Sequence, residues 1–87
     1  MERLKGKTAI VTGGSNGIGK AISEVFAEEG ARVVIADIET ESGTKVAAEI
    51  VQKGGDAVFS RTDVSSAADV ANVVRLAAGD AGRVDIL

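Results

Sequence analysis

Short β-branched or apolar runs alternate with amphipathic stretches along the chain, and glycines punctuate most of the joins. This alternation predicts parallel strands, because each amphipathic stretch is long enough to carry the chain back across a sheet as a helix. Residues 8–11 form the first run, which passes through Thr12 into Gly13-Gly14. Ile18, Ala21, Ile22, Val25 and Phe26 follow at the three-and-four spacing of one helical face, with Lys20, Glu24 and Glu28 turned away and Gly30 as the stop. Residues 33–36 are apolar without alternation, as in a strand buried on both faces, and end at Asp37. The cycle repeats with a stripe of Val46, Ala47, Ile50 and Val51, the stop at Gly54-Gly55 and a third strand over 57–60. Ser66 and Asp69 have the spacing of a capping pair ahead of a third helix carrying Val70, Val73, Val74, Ala77 and Ala78. A fourth strand is expected from Val84, cut off at Leu87. Residues 1–87 are therefore expected to form one α/β unit with right-handed crossovers.

Composition removes several kinds of chemistry. The 87 residues contain no Cys and no His, so disulfides, thiol nucleophiles and the usual zinc ligand sets are absent. With no Tyr and no Trp there is no phenolic acid or base, and no large platform on which nucleic-acid bases could stack. Ten Lys plus Arg against thirteen Asp plus Glu give a net charge of −3, which provides no footprint for nucleic acid or an anionic membrane. No apolar run approaches the roughly 20 residues that span a bilayer, and a soluble, cytoplasmic protein is expected. Backbone amides, carboxylates, hydroxyls and Lys are left to carry any function. The many Glu residues fall on helices, where a solvated face explains them better than a metal site does.

The turn Thr12-Gly13-Gly14-Ser15-Asn16-Gly17-Ile18-Gly19 stands between the first strand and the first helix. Glycines there allow a sharp reversal, close approach of a ligand to the backbone, and tight packing of helix on strand. Free N–H groups at the helix start, backed by the helix dipole, suit a pyrophosphate. Turn chemistry alone would also use such glycines. Asp37 lies about 20 residues on, at the tip of the second strand, where a carboxylate can accept both hydroxyls of a ribose. It could instead solvate the strand end or cap the helix near Thr40. The combination of strand, glycine turn, helix, strand and terminal Asp is more specific than any of its parts.

On these residues the chain resembles the short-chain dehydrogenases/reductases, whose fingerprint Thr-Gly-x-x-x-Gly-x-Gly is matched by Thr12, Gly13, Gly17 and Gly19. The likeness extends through Leu4-Lys5-Gly6-Lys7, Asp37, Asp63-Val64 and residues 82–87. It implies a partial Rossmann-type doubly wound sheet of about four strands, in order 3-2-1-4, with three helices. It also implies that Ser15, Asn16 and Ile18 line the adenosine ribose and pyrophosphate, and that Asp63 and Val64 meet the adenine edge. A 2′-phosphate would face the Asp37 carboxylate, and neither Asn16 nor Ile38 supplies a compensating cation, so NAD(H) is the expected cofactor. Arg32 and Arg61 are expected as solvent-facing strand flanks.

The family's catalytic Tyr, with its Lys and Ser, has no counterpart here, and the Asn-Asn-Ala-Gly segment that follows the fourth strand in the family is missing. The expectation is thus the cofactor-binding portion of an alcohol or ketone oxidoreductase, without catalytic residues of its own. With one helix on the second face of the sheet, that face would be left largely bare, and either self-association into a homo-oligomer or only marginal stability is expected. Two other readings stay open: a non-catalytic dinucleotide-binding or self-associating module, and a phosphate loop at residues 14–21. The second lacks the magnesium-binding hydroxyl, since Ala21 stands in its place.

Overall fold

A computed structural model describes residues 4–78. Three strands, β1 (Thr8–Thr12), β2 (Arg32–Asp37) and β3 (Asp56–Arg61), alternate with three helices, α1 (Gly17–Glu28), α2 (Thr40–Gln52) and α3 (Ala67–Ala78). The strands are parallel in the order β1-β2-β3, with Thr8 opposite Arg32 and Arg32 opposite Asp56. The expected neighbours 3-2-1 are therefore present, and the expected fourth strand lies outside the described residues. β2 is central, which explains its uninterrupted Val33-Val34-Ile35-Ala36: each residue is covered on one face or the other.

Successive side chains along a strand point to opposite faces, so the core divides into two. Val11, Val33, Ile35, Ala57 and Phe59 meet Phe26 and Ala27 of α1 and Val46, Ala47 and Ile50 of α2. Among the described residues, Ile10, Val34, Ala36 and Val58 meet Val73 and Ala77 of α3. Two helices thus cover one face and one covers the other, as the doubly wound reading requires.

The apolar stripe of α2 turns inward through Val46, Ala47 and Ile50 and that of α3 through Val73 and Ala77, whereas that of α1 is largely turned away. On α1, Ile18 is 80% exposed, and Ile22 and Val25 are also on the surface, whereas Ser23 is fully buried. The cause is close packing: a Cβ on Gly19 would stand 2.0 Å from the Gly13 carbonyl oxygen. Gly19 and Ser23, one helical turn apart, are small enough to bring α1 down on the turn, and Ser23 Oγ donates to the Gly19 carbonyl at 2.9 Å. The stripe of Ile18, Ile22 and Val25 is rotated out as a result. Val51 on α2, and Val70 and Val74 on α3, are likewise exposed rather than core. Arg32 departs from expectation in the other direction. It opens the central strand between Thr8 and Asp56, and its Nη1 is buried without a hydrogen-bond partner among the described residues.

Candidate functional site

The carboxyl ends of the three strands are tied into one rim. Gly13 N donates to the Ala36 carbonyl at 2.8 Å, and Thr62 N to the Asp37 carbonyl at 2.9 Å, so the glycine turn, Asp37 and the segment after β3 are held side by side. Such a rim, where connections leave in different directions, is where open α/β sheets bind ligands.

Gly13 and Gly17 have φ of +67° and +54°, the left-handed conformations through which the chain leaves β1 and enters α1. Asn16 occupies the N-cap of α1, yet its side chain makes no capping hydrogen bond, and the first turn carries no acidic residue. The side chain that would ordinarily take up an amide at the helix start is directed elsewhere. Among the described residues no side chain caps the N–H groups of Gly17, Ile18 and Gly19, as an anion-binding helix start requires.

Asp37 ends β2 against this turn. Its Oδ2 accepts from the Ser15 hydroxyl and, at 3.4 Å, from the Ser15 amide, and its Oδ1 accepts from Glu39 N at 3.1 Å. Ser15 itself is only 2% exposed. Burial opposes ionisation of Asp37, but the Ser15 hydroxyl and the amides of Glu39, Ser15 and Ile38 outweigh it and hold the carboxyl below its ordinary value. One oxygen of Asp37 thus holds the amide of Glu39 just ahead of α2, while the other faces the glycine turn.

Beyond β3, Asp63 takes the Ser65 hydroxyl and amide on Oδ1 at 2.6 and 2.9 Å. These bonds, with a smaller contribution from the Arg61 charge, lower its pKa against a slight desolvation. Its amide donates to Asp69 Oδ2 at 3.0 Å, and Asp69 N donates to Ser66 Oγ at 3.2 Å, so the capping pair also anchors the rim. Ile38 and Val64, 53% and 66% exposed, give the rim two apolar side chains. A groove lined by Ile38, Glu39, Thr40, Glu41, Ser42 and Lys45 continues from Asp37 along the start of α2. The other concavity, between Glu24, Glu28, Lys53 and Gly55, lies where α1 and α2 end, away from the turn.

Lys20 is turned toward α2, with Nζ 3.9 Å from Glu49 Oε1, an exposed pairing. Among the described residues no cluster of His, Cys, Asp or Glu could hold a metal ion, and no helix is long and apolar enough to cross a membrane. Reading the sequence did not single out Ser23, Thr62 or the side chain of Glu39 at the site. Ser23 could have been found from its spacing of four from Gly19; Thr62 and Glu39 carried no signal apart from their places beside strand ends.

A three-layer α/β unit with a glycine turn and a terminal Asp on one rim is a Rossmann-type βαβ arrangement. A family profile described as short chain dehydrogenase matches residues 7–87, and the chain belongs to that family. It is 45% identical over 84 residues to an uncharacterized oxidoreductase of Thermotoga maritima, covering 97% of this chain and 33% of that protein. It is 51% identical over 75 residues to 2,5-dichloro-2,5-cyclohexadiene-1,4-diol dehydrogenase LinX of Sphingobium indicum, covering 86% and 30%. The crystal structure of a hydroxysteroid dehydrogenase from Escherichia coli superposes with a TM-score of 0.92 at 44% identity, covering 98% of this chain and 36% of that one. The chain thus spans about a third of the length of the relatives it matches.

Proposed function

We propose that this chain is the NAD(H)-binding portion of a short-chain oxidoreductase acting on an alcohol or ketone. The observation that carries the reading is the Asp37 carboxylate held against Ser15 of the glycine turn. One ionised oxygen pair then lies beside uncapped helix amides, which is the donor and acceptor set that a ribose diol joined to a diphosphate presents in reverse. Gly17, Ile18 and Gly19 would hold the pyrophosphate through their amides, with Gly13 forming the turn and Ser15 and Asn16 lining it. Asp37 would accept the ribose hydroxyls. Ile38 and Val64 would flank the adenine, with Asp63 at its edge. The nicotinamide, when bound, supplies or accepts the hydride. The chain has no Tyr and no His, and we assign it no proton-transfer step. Names of relatives, a cyclohexadienediol dehydrogenase and a hydroxysteroid dehydrogenase, support a ring-borne alcohol as the substrate class of the whole enzyme. A cytoplasmic homo-oligomer goes with this reading.

Arg61 favours the competing NADP reading, since it is the register partner of Asp37 on β3. Its charge acts on Asp63, however, and is not among the influences on Asp37. Calorimetric titration of the chain with NADH, NADPH and ATP decides between them. A dianionic 2′-phosphate about 6 Å from a carboxylate in water loses about 1.4 kcal/mol, so NADPH should bind roughly tenfold more weakly than NADH. Tighter binding of NADPH would overturn the cofactor assignment, and magnesium-dependent binding of ATP would restore the phosphate-loop reading.

A further inference from the structure

We infer that Glu39 is a second cofactor discriminator, held over the ribose end of the site by Asn16; the inference rests on the NAD(H) reading above. Glu39 stands at the N-cap of α2, as Asn16 does at the N-cap of α1, and neither side chain caps its own helix. Asn16 thereby gives up the capping bond that its residue type ordinarily makes. The two side chains bond to each other instead: Asn16 Nδ2 donates to Glu39 Oε2 at 3.2 Å, and also to Ser15 Oγ at 3.4 Å. Glu39 N is in turn the donor to Asp37 Oδ1.

The clasp therefore joins the glycine turn to the start of α2 directly beside Asp37. A flexible, solvated glutamate is thereby fixed where its charge adds to that of Asp37. A ribose with a free 2′-hydroxyl meets the Asp37 acceptor there, while a 2′-phosphate meets two negative charges and no cation among the residues of the clasp. Because Glu39 is exposed, its effect is long-range and screened by salt rather than a direct contact.

Glu39→Gln keeps an acceptor oxygen for Asn16 and deletes the charge, which separates electrostatics from geometry. Titration of the native chain and E39Q with NADH and NADPH at low and high salt tests the inference. The expected result is a gain of roughly three- to tenfold in NADPH affinity for E39Q, with NADH changed less than about twofold, and a native preference for NADH that shrinks in about 1 M salt. If the native chain binds NADH preferentially and E39Q leaves the ratio unchanged, the Glu39 role is wrong and the proposed function stands. If the native chain binds neither dinucleotide, the proposed function falls and takes this inference with it.

Discussion

Ser15 spends a buried hydroxyl on one carboxylate oxygen, and the ionisation of Asp37 depends on it. A carboxyl whose folded pKa lies below its unfolded value of about 3.9 adds stability that is complete above about pH 4 and is lost as pH falls through the folded value. Asp37 is such a group. Ser15→Ala leaves it the backbone amides but removes the hydroxyl, so its titration should move up toward the ordinary value, and both the stability it adds above about pH 4 and the acid-induced loss of that stability should shrink. Carboxyl-carbon titration by NMR, with thermal melts between about pH 2 and 5, measures both. An unshifted Asp37 titration in S15A would show that the amides alone set its charge. Nothing about Ser15 in the sequence distinguishes it from Asn16, because the difference is burial, which arises only when Gly19 lets α1 settle on the turn.

At the level of elements, the cap of α3 does two jobs. Ser66 Oγ receives Asp69 N, while the Asp69 carboxylate reaches back to Asp63 N rather than to the cap residue. Ser66→Ala should therefore cost about 1 kcal/mol in urea unfolding, as loss of a cap generally does. Asp69→Ala should in addition loosen the Asp63 segment, seen as faster amide exchange at Asp63. Equal exchange there in both variants would mean that the rim does not depend on this bond. The alternation of elements and the parallel sheet were legible in the sequence because apolar runs and glycine stops mark strands and helices locally, whereas the strand order came from the likeness to the family. The inward face of α2 was legible in Val46, Ala47 and Ile50, but that of α1 was not. Ile18, Ile22 and Val25 match the periodic pattern better than Gly19 and Ser23, yet close approach selects the small residues. Gly43 of α2 repeats this lesson: a Cβ there would fall 2.1 Å from the Phe59 ring, and only tertiary packing reveals it.

For the molecule as a whole, the displaced stripe leaves Ile18, Ile22 and Val25 on α1 and Val70, Val74 and Leu76 on α3 exposed, on helices that lie against opposite faces of the sheet. Apolar surface of this extent drives association. The 87-residue chain should sediment as dimers or larger species at micromolar concentration, and Ile22→Lys with Val74→Lys should shift it toward monomer. A concentration-independent monomer for the native chain would contradict this. The central claim is narrower: the rim formed by the glycine turn and Asp37 holds the adenosine diphosphate of NAD(H). Amide shifts recorded by NMR as NADH is added test it most directly. The account predicts the largest changes at Gly13, Ser15, Gly17, Gly19 and Asp37, with Glu24, Lys53 and Gly55 at the far end nearly still. Changes centred on that far end, or none at saturating NADH, would contradict it.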